Sequence, residues 1–324
     1  MDNLNLRGHK EKRNFLLLTF YFLLFTLCFF VSCGKKGPPT LKGYEKPETP
    51  FGLTAIHKEK RIILSWSYPD NLRHVLKGFQ VLRSENDGFE KIAFIKNDQS
   101  LFIDTTFKVN ITYKYKVIAQ NLKDVLSNDS NIITVIPKAL PSPPDNVRFT
   151  ITSDSIGLYW DSSGEGVCYH IYKTTEKDKY ADTPLNREPV CMVSFRDTFL
   201  LPDRTVYYKI SALLNTIIRD EGYASAELEI TPSHFIPSAP SDLRIAKGDD
   251  KVYLLWKENT ETWIKGYRIY RKREEEAEFT PIGEVTIPTF TDTTAKINKK
   301  VWYMIKALGP SRESNALTGE ISEK

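Results

Sequence analysis

The chain repeats itself three times at intervals of roughly 95 residues, and this repeat restricts the fold more than any other feature of the sequence. Two single residues recur at intervals of 94 and 96 positions: a tryptophan (Trp66, Trp160, Trp256) and a proline (Pro50, Pro144, Pro240). Two short motifs keep nearly the same spacing: Phe-x-Asp-Thr, starting at Phe102, Phe195 and Phe290, and Tyr-x-x-x-Ala, starting at Tyr115, Tyr208 and Tyr303. A unit of this length is long enough for a core of its own, so the repeat predicts three tandem domains.

Apolar residues alternate with polar ones before each tryptophan. In the first unit they are Ile62, Leu64 and Trp66, and the other two units repeat the pattern. A period of two places these side chains on one face of a β-strand. No segment of the repeats shows a sustained 3.6-residue apolar stripe. Each unit therefore reads as an all-β sandwich of roughly seven short strands, with few helices.

These landmarks resemble the fibronectin type III domain, which has a proline-rich start, a tryptophan on its second strand, and Tyr-x-Val-x-Ala on its sixth. The resemblance covers residues 46–324. It implies an all-β chain of three tandem immunoglobulin-like (fibronectin type III) β-sandwiches. The family's corner tyrosine is Tyr113 in the first unit, whereas Val206 and Val301 stand there in the others. Because that tyrosine donates or accepts a corner hydrogen bond, we expect lower individual stability in the second and third units.

The N-terminus has the pattern of an export signal. Residues 1–14 are net positive, and the 17-residue run Phe15–Val31 is apolar apart from Thr19 and Thr26. The following Ser32-Cys33 resembles the end of a bacterial lipoprotein signal, which implies that Cys33 becomes the lipidated first residue of the mature chain. Acyl chains there would hold the exported protein on a membrane. An uncleaved N-terminal anchor is the alternative, since 17 residues lie at the short limit for a spanning helix.

The mature chain then begins Cys-Gly-Lys-Lys-Gly-Pro-Pro, at Cys33–Pro39. This start resembles that of small outer-membrane lipoproteins that help assemble the lipopolysaccharide-insertion machinery. That likeness implies an alternative role as an accessory or assembly factor of an outer-membrane machine. The simpler interpretation, which we favour, is a flexible tether, because glycine and proline exclude regular structure and lysines suit anionic headgroups.

We therefore divide the chain into five segments. They are a signal peptide (1–32), a lipidated flexible tether (33–45), and three fibronectin type III domains, called unit 1 (46–138), unit 2 (139–234) and unit 3 (235–324). The connections between units are rich in proline, which favours a semi-stiff array. Apolar Leu140 and Phe235-Ile236 are expected to pack between neighbouring units.

Unit 2 contains two cysteines, Cys168 and Cys191, at positions where units 1 and 3 have small residues. Both are expected on the face of the sheet turned away from the core. Exported domains are oxidised in many envelopes, so the sequence favours a cross-strand disulfide. Two alternatives stay open: two free thiols, or a metal or redox set formed with His170, which points to the same face as Cys168.

The sequence contains no pattern typical of a catalytic or cofactor site. Gly-x-Ser-x-Gly, a phosphate-binding glycine loop and His-Glu-x-x-His are absent from it, so we predict neither enzymatic activity nor a cofactor. The aspartates of the Phe-x-Asp-Thr motifs (Asp104, Asp197, Asp292) recur in every unit. We expect them to cap a turn rather than to act as catalytic acids.

Unit 3 holds the candidate partner contacts Trp263, Arg271 and Arg273. Trp263 has no counterpart in the other units; exposed aromatic residues are enriched at contact sites, yet we expect this one to pack on its own unit. The run Arg271–Glu276 has three basic residues followed by three acidic ones, which predicts a solvated loop that pairs with itself. A docking patch on this loop is the alternative.

The sequence thus predicts a non-catalytic lipoprotein of the cell envelope, anchored by lipid, that acts as a binding or scaffolding module for protein or glycan partners. Lys and Arg total 45 against 41 Asp and Glu, which argues against a nucleic-acid partner. The membrane of residence is either the outer membrane or the outer face of the cytoplasmic membrane. The assembly-factor role and the metal or redox role are the alternatives.

Overall fold

A computed structural model describes residues 44–86, 88–214, 216–295 and 299–322 of the chain. The signal peptide and nearly all of the tether, including Cys33, lie outside the described residues. Within them the chain forms strands joined by turns, with 3₁₀ helices at Asp70–Val75 and Pro232–His234. Across this described part, no helix is both long enough and apolar enough to span a membrane.

Units 1 and 3 share one topology. The strands of unit 1 are β1 (Phe51–Lys58), β2 (Arg61–Ser67), β3 (Leu76–Ser84), β4 (Glu90–Lys96), β5 (Leu101–Asp104), β6 (Tyr113–Asn121) and β7 (Ile133–Val135). They form two sheets, ordered β1-β2-β5 and β4-β3-β6-β7. The core lies between the two sheets.

Unit 2 departs from this plan at both edges of its larger sheet. Its strands are β8 (Arg148–Ile151), β9 (Ile156–Tyr159), β10 (Val167–Thr174), β11 (Ser194–Asp197), β12 (Val206–Leu214), β13 (Asp220–Ala224) and β14 (Leu228–Ile230). The fourth strand of the common plan is replaced by residues 175–193, which touch β10 through an isolated bridge between Tyr169 and Val190. The last strand is split into β13 and β14, and both pair with β12.

Unit 3 returns to the plan of unit 1. Its strands are β15 (Ser241–Lys247), β16 (Val252–Lys257), β17 (Gly266–Arg273), β18 (Thr280–Val285), β19 (Thr289–Asp292), β20 (Val301–Leu308) and β21 (Leu317–Ile321). The sheets are β15-β16-β19 and β18-β17-β20-β21. This packing of a three-stranded sheet on a four-stranded one is the fibronectin type III sandwich, so the predicted fold class is confirmed.

The alternating residues form the three cores, as the sequence predicts. Each repeated tryptophan packs edge-on against an aromatic residue of the next strand, with ring centroids 5.1 to 5.5 Å apart (Trp66 on Phe79, Trp160 on Tyr169, Trp256 on Tyr267). These rings are buried. The corner tyrosine of unit 1 is also in place, because the Tyr113 hydroxyl accepts a hydrogen bond of 2.9 Å from the amide of Lys108.

The recurring aspartates anchor the same polar triad in every unit. In unit 3 a carboxylate oxygen of Asp292 accepts hydrogen bonds from Arg271 at 2.7 Å and from the Tyr303 hydroxyl at 2.9 Å. The other oxygen caps the following turn through the amide of Thr294. The equivalent triads are Arg83–Asp104–Tyr115 and Lys173–Asp197–Tyr208. The aspartates are therefore fold residues that cap a turn, as expected.

Candidate functional site: the joints between the sandwiches

Unit 1 and unit 2 are joined by a continuous β-sheet. Strand β1 of unit 1 lies parallel to β13 of unit 2, with Lys58 opposite Glu221. The backbone amide of His57 donates to the carbonyl of Ile218 at 3.0 Å, and that of Glu59 donates to the carbonyl of Glu221 at 3.0 Å. We call this contact, with the side chains that cover it, the first joint. It uses the split last strand of unit 2, whose outer edge would otherwise lack a partner strand.

A buried hydrogen-bonded pair, His57 and Asp220, closes the first joint. His57 Nδ1 lies 2.6 Å from Oδ1 of Asp220, and both side chains are almost fully buried. Burial alone would raise the pKa of Asp220, but the hydrogen bonds from His57, from the Lys138 amide and from Thr216 outweigh it and lower that pKa. The carboxylate therefore stays ionised and bonds both to His57 of unit 1 and to Lys138, which begins the connecting segment between units 1 and 2 (residues 138–144).

Glu221 organises a second buried cluster beside the first. Its carboxylate accepts hydrogen bonds from Tyr172 and Ser211, both at 2.7 Å, and lies 3.0 Å from His170 Nδ1 and 3.3 Å from the Lys58 ammonium. Burial pushes the pKa of Glu221 up, whereas the His170 hydrogen bond, the charge of Lys58 and the two hydroxyls hold it at about 2. Lys58 also donates to the Tyr172 hydroxyl at 2.8 Å, so one lysine of unit 1 binds two side chains of unit 2.

The connecting segment is also tied to the first joint. The Lys138 amide donates to Asp220 Oδ1 at 2.8 Å, and Pro141 passes directly over Gly222. A Cβ atom at Gly222 would lie 2.3 Å from the Pro141 carbonyl oxygen, so any other residue there would push the segment away. Ile218 of unit 2, meanwhile, packs into the core of unit 1. The two sandwiches consequently share core residues as well as backbone hydrogen bonds.

The second joint, between units 2 and 3, is built around Trp263. Its indole is 7% exposed and belongs to the core of unit 2, where it packs edge-on against the fully buried Phe235 at 5.4 Å between centroids. Its Nε1 donates to the Thr152 carbonyl at 3.0 Å, and the Thr262 amide donates to the Ser153 carbonyl at 2.8 Å. The expectation that Trp263 packs on its own unit is wrong, because the loop before β17 projects it onto the preceding sandwich.

The burial of Trp263 in the second joint also bears on its predicted role as a partner contact. Because the indole lies inside the joint, it is not available to an external protein. Of the residues expected between neighbours, Phe235 is buried and Leu140 is half-buried, whereas Ile236 is exposed.

Cys168 and Cys191 are bonded to each other, across 23 residues of sequence. The bond joins β10 to the segment that replaces the fourth strand of unit 2, next to the Tyr169–Val190 bridge. The bond occupies both sulfur atoms, and the His170 ring is oriented toward Glu221. The alternative of a metal or redox set made of these three residues is therefore not supported, because two of the three ligands are not free thiolates. Among the described residues no group of three His, Cys, Asp or Glu side chains is arranged to hold a metal ion.

The basic residues Arg271 and Arg273 of unit 3 lie in strand β17 and not in the solvated loop that the sequence predicted. Arg271 lies in β17 and is buried against Asp292, so its guanidinium is not available to a partner. Arg273, at the end of β17, pairs with Glu276 at 3.3 Å, and Lys299 pairs with Glu275. That part of the run does pair locally, and contact of Arg273 with a partner stays a prediction.

The residues that matter most at the first joint, Asp220 and Glu221, gave no recognisable signal in the sequence. Adjacent acidic residues are usually solvated, and the histidine that pairs with Asp220 lies 163 positions away.

Comparisons with known proteins agree with a modular chain. No protein-family model matches it. An amylopullulanase of Thermoanaerobacterium thermosulfurigenes is 30% identical over 96 residues, covering 30% of this chain and 5% of that protein. Exoglucanase B of Cellulomonas fimi is 24% identical over 297 residues, covering 85% of this chain and 25% of that protein. An amylopullulanase of Thermoanaerobacterium saccharolyticum is 29% identical over 107 residues, covering 33% and 8%. The chain thus spans a quarter or less of the length of these curated relatives.

Solved structures similar to the chain are themselves arrays of such domains. The FN1–FN3 domains of chicken CNTN1 cover 86% of this chain and 99% of their own, at 16% identity and a TM-score of 0.28. A two-domain fibronectin type III segment of chicken tenascin covers 56% of this chain and 100% of its own, at 13% identity and a TM-score of 0.42. The assignment of the fold rests on the strand order and core described above: the part of the chain that the structure describes consists of three tandem fibronectin type III sandwiches.

Proposed function

We propose that the chain is a non-catalytic, lipid-anchored scaffold of the cell envelope that holds three sandwiches in a fixed succession and presents them to a protein or glycan partner. The observation that carries this proposal is the first joint. Flexible connections between domains need no buried ion pairs, shared core residues or continuous sheet, and inter-domain motion is the default where such contacts are missing. A chain that places Asp220 and Glu221 in a buried joint gains a defined orientation of its units.

The relatives support a non-catalytic role only through the small share of their length that this chain covers. They are named as glucan- and pullulan-degrading enzymes, and the chain corresponds to a quarter or less of each. A shared module outside the catalytic part of such enzymes would have this coverage. Fold alone does not set function, so partner choice depends on surface residues.

Orientation is tested by distance measurements on the full chain in detergent micelles. Spin labels are attached to non-canonical amino acids at the exposed positions Lys91 in unit 1 and Lys257 in unit 3, and the distance distribution is read by pulsed electron resonance. We expect one narrow distribution for the wild type and a broad one for the double variant Asp220→Asn, Glu221→Gln. A wild-type distribution as broad as that of the variant would contradict the scaffold.

Anchoring is tested separately in cells. Labelling with an alkyne fatty acid is expected to tag the wild-type protein and to fail for Cys33→Ser, which should also leave the membrane fraction. Labelling that persists in Cys33→Ser would overturn lipidation at this residue, and an unlabelled wild type would favour an uncleaved N-terminal anchor.

A second candidate role, as an assembly factor of an outer-membrane machine, is favoured by one observation, the Cys-Gly-Lys-Lys-Gly-Pro start at Cys33. Replacing residues 34–39 with a Gly-Ser tether of equal length tests it. Assembly of the machine should fail in the replacement strain while anchoring persists. Normal assembly would remove this role.

A further inference from the structure

Unit 2 differs from its two neighbours in three features that converge on one hollow of about 650 Å³. The hollow lies on the outer face of the sheet β11-β9-β8. Its floor includes Gly157 and Tyr159 of β9, and its rim includes Arg196 of β11 and the segment from Val190 to Met192. The features are the glycine on the central strand, the exposed tyrosine with its neighbouring arginine, and the disulfide.

Gly157 allows the Tyr159 ring to lie on the sheet. A Cβ atom at Gly157 would come within 2.9 Å of the Tyr159 hydroxyl and 3.2 Å of ring atom Cε2, so the ring crosses the space that a side chain would fill. Tyr159 is nevertheless 38% exposed. One side of the ring is therefore supported by the strand while the remainder faces solvent, which makes a preorganised aromatic platform.

The polar rim beside the platform is held in place and is neutral in charge. Arg196 donates to both carboxylate oxygens of Asp154, at 2.8 and 2.7 Å, and to the Ser155 hydroxyl at 2.9 Å. The hydrogen bonds from Arg196 contribute most to lowering the pKa of Asp154, and they keep its carboxylate ionised. Because the single nitrogen Nη2 of Arg196 donates to both carboxylate oxygens of Asp154, the two charges compensate each other and the rim gives an anionic ligand little net attraction.

The disulfide supports the opposite wall. Cys191 lies between Val190 and Met192, both of which line the hollow, and its bond to Cys168 of β10 fixes this segment to the sandwich. Units 1 and 3 lack the glycine, the arginine and the disulfide, although unit 3 has an exposed tyrosine at the position of Gly157. At the positions of Gly157, Tyr159 and Arg196 they carry Ile63, Ser65 and Ile103 in unit 1, and Tyr253, Leu255 and Thr291 in unit 3.

From this convergence we infer that the hollow is a binding site for an uncharged glycan. A pyranose ring has an apolar face of C–H groups that stacks on an aromatic platform, and hydroxyls at its edge that bond to a polar rim. The hollow offers both in a shallow, open shape that suits one or two sugar rings rather than a fully enclosed apolar ligand. The inference rests on the proposed function, since it names a glycan as the partner of the scaffold.

The test is saturation-transfer NMR on the full chain, solubilised in a detergent without a sugar headgroup. The probes are maltohexaose, cellohexaose and chitohexaose, with trigalacturonate as an anionic counterpart. We expect transfer to ring protons of at least one neutral probe. Affinity should fall at least tenfold in Tyr159→Ala and persist in Tyr159→Phe, which keeps the platform. The matched control is Tyr253→Ala, which removes the exposed tyrosine from the same face of unit 3 and should leave binding unchanged.

Two outcomes would overturn the site. One is no transfer to any neutral probe at about 5 mM, a concentration that reveals millimolar dissociation constants. The other is binding that survives Tyr159→Ala or that prefers trigalacturonate. The spin-label distances distinguish this failure from failure of the scaffold: narrow distances without sugar binding refute the glycan site alone, whereas broad distances refute the scaffold whether or not sugars bind.

Discussion

At the scale of single residues, some charged side chains are buried although the sequence around them is typical of solvent-exposed residues. Arg271 is the clearest example, because it begins a run of charged residues yet lies buried against Asp292. A buried pair contributes little in itself, but removing one partner leaves an uncompensated charge in the interior.

Replacement of Asp292 should therefore be costly. We expect Asp292→Asn to lower the free energy of unfolding of unit 3 by about 3 kcal/mol, since Arg271 keeps its charge and loses its carboxylate. Calorimetry of the full chain, with transitions assigned by hydrogen exchange, measures the change. The control is Glu275→Gln, which removes an exposed ion pair with Lys299 and should change stability by less than about 0.5 kcal/mol. Equal effects of the two variants would contradict this view of the triad.

At the scale of elements, the joint between β1 and β13 depends on an ionised Glu221. Its folded pKa of about 2 lies below the ordinary value of 4.5, so the carboxylate stabilises the fold above pH 4.5 and this contribution disappears as pH falls toward 2. The groups that face it are His170 and Tyr172 on β10, Ser211 on β12 and Lys58 on β1.

Acid should therefore weaken the first joint. Between about pH 5 and pH 3 we expect the free energy of unfolding to fall more steeply in the wild type than in Glu221→Gln. Urea unfolding at a series of pH values gives both slopes. Glu229→Gln, on the exposed side of β14, is the control and should keep the wild-type slope. Parallel slopes for wild type and Glu221→Gln would contradict the role of the carboxylate.

The disulfide acts on another element of unit 2, the segment that replaces its fourth strand. Reduction, or the double variant Cys168→Ala, Cys191→Ala, should lower the stability of unit 2 by about 3 kcal/mol, because the bond closes a loop with a sequence separation of 23. Calorimetry with and without reductant measures this. Unit 3 has no cysteine and is the internal control; a shift of its transition by the same amount would point to a general effect of the reductant.

At the scale of the whole molecule, the units are coupled by residues that leave their own sandwich. Trp263 is covalently part of unit 3 and packs in the core of unit 2, and Ile218 crosses from unit 2 to unit 1 in the same way. Units 1 and 2 therefore each depend on a residue of the following unit for part of their packing.

This coupling predicts that a substitution in one unit destabilises another. Trp263→Ala should lower the stability of unit 2 by about 3 kcal/mol or more, the usual cost of a large aromatic cavity, and affect unit 3 less. Hydrogen exchange read by mass spectrometry assigns the loss to peptides of each unit. The matched control is Trp302→Ala, a half-buried tryptophan within unit 3 that should destabilise unit 3 instead. Loss of protection confined to unit 3 in both variants would contradict the coupling.

The fold followed from the sequence because its determinants are local and repeated. The alternation around Trp66, the turn aspartates and the corner Tyr113 each specify one strand or turn, and three copies of one pattern leave little room for another architecture. Tertiary structure alone decided the joints and the hollow. His57 meets Asp220 across 163 residues, so this contact has no periodic or short-range signal. Gly157 and Tyr159 are only two residues apart, but the hollow over them also needs Val190 and Met192, which only the folded chain brings beside them. Such contacts form only when whole sandwiches pack together, because burial strengthens polar interactions and requires each buried polar group to have a partner.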